Sequence, residues 1–255
     1  MEVDAQELYR SEKEDRIRKE FVNVFKNCPI PDEDILQNLG LFISSKNLSR
    51  MLFMDHIYKL QLDVHGVVME FGTRFGQNLA LFSALRGIYE PFNRIRKIIG
   101  FDTFEGFPSL NKDADNLSTS IMREGGLSCP PAYEKYLESI MEYQENDNPL
   151  SHIKKFEIVK GDSTVTLANY LIKYPETIIS LAFFDFDIYQ PTKDCLQMIK
   201  KRLVKGSVVA FDELCDRDSP GETKALREVF NLGEIRLKRL PHASRVSYFI
   251  YEGVV

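Results

Sequence analysis

Two apolar runs of this chain end in acidic clusters. LAFFDFDIYQPT carries Asp185 and Asp187, and VVAFDELCD carries Asp212 and Glu213. Residues two apart, such as Asp185 and Asp187, share one side of an extended backbone. Asp212 and Glu213 would point oppositely in a strand, so both serve one site only if the chain turns there. Neighbouring strands lie about 4.8 Å apart, which lets side chains from the two ends converge. Up to four carboxylates in one crevice repel one another unless a proton or a cation compensates. Oxygen donors of this kind suit a hard ion such as Mg2+; alternatively they cap helices and contact a cofactor. The histidines, His56, His65, His152 and His242, show no metal-ligand spacing and read as surface or packed residues.

Three further segments have the chemistry of a ligand site. VVMEFGTRFGQNLALF is a strand, a glycine turn and a helix, which points backbone N–H groups and a positive helix end at a ligand. Glu70 lies at the strand end, while Gly72 and Gly76 allow close backbone approach. The spacing is GxxxG rather than GxGxxG, because Arg74 stands where a dinucleotide fingerprint needs its second glycine. A pyrophosphate needs that approach, whereas S-adenosylmethionine has no phosphate. In IIGFDTFEGFP, Asp102 is placed to accept hydrogen bonds from two ribose hydroxyls, or is a turn aspartate. In KGDSTVTL, Asp162 and Ser163 could flank an adenine edge; Asp162 could equally be the N-cap of the next helix.

The elements that must position these residues alternate. Strand-like runs at 67–71, 97–101, 156–160, 179–186 and 207–213 are separated by helical segments near 76–89, 132–145, 164–173 and 192–204. That alternation means βαβ units and a parallel sheet, and the runs are apolar on both faces, as covered strands should be. IRLKRL (235–240) and RVSYFIYE (245–252), joined by a Pro-His-Ala-Ser turn, form a closing antiparallel hairpin. Residues 1–62 read as a helical extension: an amphipathic stretch from Ser11 to Lys26, then an apolar stripe of Leu48, Met51, Met54, Tyr58 and Leu62. The extension is expected to join a homo-oligomer and to cover the site. Between Phe107 and Tyr133 the chain is too long for a simple connection and reads as a lid.

At 255 residues the chain fits one large α/β domain, 63–255, behind that extension. A formal charge of −5 argues against a general nucleic-acid binder. No run approaches a membrane span, the charged N-terminus has no secretory apolar core, and the scattered cysteines suit free thiols, so a cytoplasmic enzyme is expected.

The ordered set EFGTRFGQN, GFDTFEGFP, GDSTVTL, DFDIYQPT, KGSVVAFDEL and PGETKAL, across roughly residues 60–230, resembles the macrocin O-methyltransferase family. The resemblance implies a Rossmann-like class I fold, S-adenosylmethionine as cofactor and a deoxysugar hydroxyl as acceptor, on a natural product or a nucleotide-linked precursor. It places cofactor binding on Glu70, Gly72, Gly76, Asp102, Asp162 and Ser163, and Mg2+ on Asp185, Asp212 and Glu213. The chain departs from the family pattern at Glu213, usually aspartate, and at Gln77, usually glycine. The implied reaction is an in-line methyl transfer with Asp185, then Asp187, as general base. Helix-opening residues near Pro220, with Arg217 and Lys224, could receive a phosphate, or form a plain capped helix. The competing readings are a catechol-type O-methyltransferase, an NAD(P)-dependent oxidoreductase and a non-catalytic cofactor-binding protein.

Overall fold

The computed structural model describes residues 11–253, apart from the side chain of Ser244. Five strands run parallel: β1 (Val67–Phe71), β2 (Ile98–Asp102), β3 (Phe156–Lys160), β4 (Ile179–Phe184) and β5 (Leu203–Phe211). A hairpin of β6 (Lys238–Leu240) and β7 (Ala243–Ile250) closes the sheet, with β7 antiparallel to β5. The order is β3-β2-β1-β4-β5-β7-β6, the architecture of a class I methyltransferase, as the alternation and the closing hairpin led us to expect. Its strand order turns outward from β1 and β4, and ligands of such sheets bind at that switch point.

Strand alternation divides the core into two layers. One face, with Phe71, Phe101, Phe184 and Phe211, packs against α6 (Ser163–Lys173), α7 (Tyr189–Lys200) and α8 (Gly221–Val229). The other, with Val68, Ile98, Leu181 and Val208, packs against α3 (Ser45–Leu60), α4 (Gln77–Tyr89) and α5 (Tyr133–Asn146). Ahead of α3 come α1 (Glu12–Lys26), the single turn α2 (Asp32–Ile35) and a 3₁₀ segment, Leu36–Phe42. Ser11 and Glu14 close a reciprocal capping box at the start of α1. No helix among the described residues is long and apolar enough to cross a membrane.

Several local expectations are revised. Strand β5 begins at Leu203, in residues whose apolar spacing suggested the end of a helix. Gly206, at φ +95°, gives the ladder its irregularity there, and α7 correspondingly spans Tyr189–Lys200. Strand β3 is an edge strand, so Glu157, Ile158 and Val159 are only partly covered and Lys160 is exposed, instead of the run being covered on both sides. The buried stripe of α3 is Phe53, Met54, Ile57 and Tyr58; Leu48 is exposed. Because that stripe belongs to the sheet's own core, α3 is a structural part of the α/β layer despite preceding residue 62.

Candidate active site

Four phenylalanines lie at the ends of the central strands, three as the last residue and Phe101 one before it. Phe101, Phe71, Phe184 and Phe211 stack in sequence across β2, β1, β4 and β5, with centroids 5.2, 4.7 and 5.4 Å apart. The register sets each beside its neighbour. Each is followed immediately by a site residue: Asp102, Gly72, Asp185 and Asp212 in the same order. The ring ladder therefore forms a floor, and the next residue of each strand rises from it into a cavity of about 310 Å3. That volume is sufficient for a small ligand.

The structure brings Asp185, Asp187, Asp212 and Glu213 together along one wall of this cavity. The chain turns at both strand ends. Strand β4 stops at Phe184, and Asp187 takes φ +61°, so the expected extended arrangement of Asp185 and Asp187 is replaced by a turn. Asp212 and Glu213 both reach the cavity because β5 ends at Phe211.

The compensating charge comes from two arginines that sequence reasoning did not single out. Arg50 of α3 reaches across the strand ends: its Nη2 donates to Asp185 at 2.7 Å, its Nη1 to Asp212, and its Nε to Asn78 at 3.1 Å. Burial opposes the Arg50 charge, but Asp212 and Asp185 beside it hold its pKa above the ordinary arginine value. Arg245 of β7 pairs with Glu213. Asp185, Asp212 and Glu213 are thus engaged by guanidinium groups and do not form the expected Mg2+ triad. Among the described residues no three acidic, histidine or cysteine side chains converge as ligands. As arranged, this donor set does not fit a divalent ion. The physical reason is that crowded carboxylates need positive charge, and α3 and β7 already supply it. Arg50 does have a signature in the sequence: it lies in phase with Phe53, Met54 and Ile57, a charged residue continuing a buried stripe by one turn.

The remaining acids are perturbed. Burial, then repulsion from Asp212, raises Asp185 well above the carboxylate range, against the pull of Arg50. Burial and Asp212 also push Asp187 up to about 7, while Arg245 and Arg74 oppose the rise.

Gly72, Asp102, Asp162 and Ser163 also line the cavity. Asp102 accepts the N–H of Arg74 at 2.7 Å and of Phe104 at 2.6 Å, tying the glycine turn to the end of β2. Asp162 caps α6 through the Thr164 N–H at 2.9 Å while still lining the cavity. Gly72 is needed for packing: a Cβ there would lie 2.0 Å from the Asp185 carbonyl oxygen. Glu70 and Gly76 are not brought into the cavity wall. Glu70 is fully buried, and burial pushes its pKa to about 8. Gly76 caps α4 at φ +77° against the side chain of Leu137.

The segment between Phe107 and Tyr133 does cover the cavity, contributing Phe107, Pro108, Gly126 and Leu127 to its wall. It has a small core of its own, in which Phe107, Ile121 and Met122 meet Ile188. Lys224, a candidate phosphate ligand, instead donates to the carbonyls of Asp113 and Ala114, at 3.1 and 2.6 Å, and anchors this cover.

No protein-family model and no curated protein sequence matches the chain. Among solved structures, the calicheamicin methyltransferase CalS11 shares 39% identity over 95% of this chain and 94% of its own, with a TM-score of 0.92. The chain belongs to the CalS11 family of O-methyltransferases. The apo structure of CalS11, described as a TDP-rhamnose 3'-O-methyltransferase, matches at 37% identity over 95% of this chain and 96% of its own, with a TM-score of 0.83. The O-methyltransferase NovP, at 16% identity, 81% coverage of both chains and a TM-score of 0.62, shares the fold. The enzyme is therefore a methyltransferase; the narrower likeness to macrocin O-methyltransferases rests on the six sequence segments alone.

Proposed function

We propose that this methyltransferase transfers the methyl group of S-adenosylmethionine to a hydroxyl of a deoxysugar, carried on a nucleotide or already attached to a natural product. The observation that carries this reading is the whole-length likeness to CalS11, whose own acceptor is TDP-rhamnose. The cavity is consistent with it. Asp102 offers a carboxylate at the end of β2, where a ribose diol is received in folds of this kind. Bound S-adenosylmethionine would supply an electrophilic methyl carbon beside the strand ends.

A sugar hydroxyl must lose its proton as it attacks. Asp187 suits that step better than Asp185, which the sequence pattern favoured, because Arg50 holds the Asp185 carboxylate in place. A base with a pKa near 7 is matched to work at neutral pH. Asp185 and Asp212, fixed by one guanidinium, serve to shape the wall against which the acceptor is oriented.

The test is a methyl-transfer screen with isotopically labelled cofactor against TDP-deoxysugars, free deoxysugars, sugar-bearing natural products and catechols. Methylation of a sugar hydroxyl is the expected result. Turnover of catechols with none of the sugars would overturn the acceptor class.

A further inference from the structure

The first turn of α8 contacts the chain after β4, the chain after β5 and the cover. Gly221 packs so closely on the chain after Asp187 that a Cβ would lie 2.4 Å from the Tyr189 nitrogen. Glu222 is fully buried, and its two oxygens serve the segments that follow two different strands. Oε1 accepts the N–H of Phe186 at 3.0 Å, and Oε2 the N–H of Glu213 at 3.3 Å. Thr223 accepts the N–H of Cys215 at 2.8 Å. Lys224 holds the cover through the Asp113 and Ala114 carbonyls.

The two amides that Glu222 receives lie where the ladder stops. Asp185 N–H still bonds Phe71, at 2.8 Å, and Asp212 N–H still bonds Phe184, at 2.9 Å. The next amides, Phe186 and Glu213, lie past the strand ends, and buried donors must find acceptors elsewhere. One of them lies between Asp185 and Asp187; the other directly follows Asp212.

We infer that Glu222 is a positioning residue: its single carboxylate sets the spacing between the turn bearing Asp185 and Asp187 and the turn bearing Asp212 and Glu213. The inference rests on the methyltransferase reading of this cavity for its catalytic consequence, though not for its geometry. Burial followed by Asp185, Asp187 and Asp212 raises the Glu222 pKa well above the usual range, which is consistent with its lying among the acids it spaces. Carboxylates serving as base and wall must be held to fractions of an ångström, so freeing either turn should slow the chemical step more than it weakens binding.

The experiment compares Glu222→Gln with the wild-type enzyme. Glutamine keeps one acceptor oxygen and turns an NH2 group toward the other amide. We expect kcat to fall about tenfold or more, with the dissociation constant of S-adenosylhomocysteine changed by less than about twofold. We also expect the acid limb of the kcat profile to move, because the surroundings of Asp187 change. Hydrogen exchange provides a readout that needs no acceptor: the amides of Phe186 and Glu213 should exchange faster. Unchanged exchange at both amides overturns the inference, as does unchanged kcat or a parallel loss of kcat and cofactor affinity. Faster exchange without turnover on any sugar would preserve the positioning role and sink the acceptor reading instead. Should Glu222→Gln fail to fold, Glu222→Asp keeps both acceptor oxygens but draws them back by one methylene from the Phe186 and Glu213 amides. It should lower kcat about threefold at unchanged cofactor affinity and speed exchange at one or both amides, and no change in kcat or no change in exchange would overturn the inference.

Discussion

Asp187 and Arg50 carry the predictions that belong to single side chains. Burial and Asp212 push Asp187 up to about 7, and a base acts only when deprotonated, so kcat should rise with pH through about 7. Asp187→Asn should remove that limb along with most of the activity; a wild-type profile flat from pH 6 to 8, as judged by single-turnover rates, would remove Asp187 as the base. Arg50 presents a fork to Asp185 and Asp212, a geometry that lysine cannot reproduce. Arg50→Ala leaves two partly buried carboxylates facing each other without their cation. Turnover should then fall about 10- to 100-fold, equivalent to about 1.4–2.7 kcal/mol. The freed carboxylates should also bind Mg2+ at least about tenfold more tightly than in the wild type by calorimetry. Equal ion affinity in the two proteins would show that Arg50 does not occupy the place of a cation.

At the scale of elements, the phenylalanine ladder makes the site and the core one object. Phe184 stacks on both Phe71 and Phe211 and precedes Asp185, so shortening it opens a cavity beneath the carboxylate wall. Phe184→Ala should cost about 3–5 kcal/mol of stability, as large-to-small changes in packed cores do. Phe184→Leu, which fills much of the space, should cost markedly less. Denaturant titration measures both, and a loss under 1 kcal/mol for the alanine variant would contradict the packing described. The Phe-Asp pairs at 101–102, 184–185 and 211–212 are visible in the sequence. That their rings stack follows only from the strand register, which pairs Phe71 with Phe101 and Phe184, and Phe184 with Phe211.

At the scale of the molecule, the N-terminal segment is unlike the rest. No residue of α1, α2 or the 3₁₀ segment is buried, and Ile17, Phe21, Val24 and Phe25 are 41–60% exposed. Leu48 and Leu52 are also exposed on α3, the helix that delivers Arg50 to the site. A surface of this kind calls for a partner, and a second copy of the chain remains the occupant we expect. Light scattering at micromolar concentration should report an assembly larger than one chain. Deleting residues 1–42, which leaves α3 with its Ser44 cap, should yield a monomer. A monomeric full-length protein would remove the assembly from the account.

What the sequence determined by itself was the order of parts. Apolar period and turn residues are local properties, so β1, β3, the helices after them and the closing hairpin could be read directly, and the acidic residues at the strand ends could be named. The same local rules misplaced the start of β5, where the irregularity at Gly206 depends on pairing with β4. Tertiary structure alone decided which charges answer those acids. Arg50 lies 135 residues from Asp185 and 162 from Asp212, and Arg245 reaches Glu213 from the closing hairpin. It also decided that Glu70 is fully buried at the end of β1 and that Gly76 caps α4 against Leu137, neither of them in the cavity wall. A carboxylate's need for a cation is legible in one dimension; whether an ion or a distant guanidinium meets that need depends on distances that only the folded chain sets.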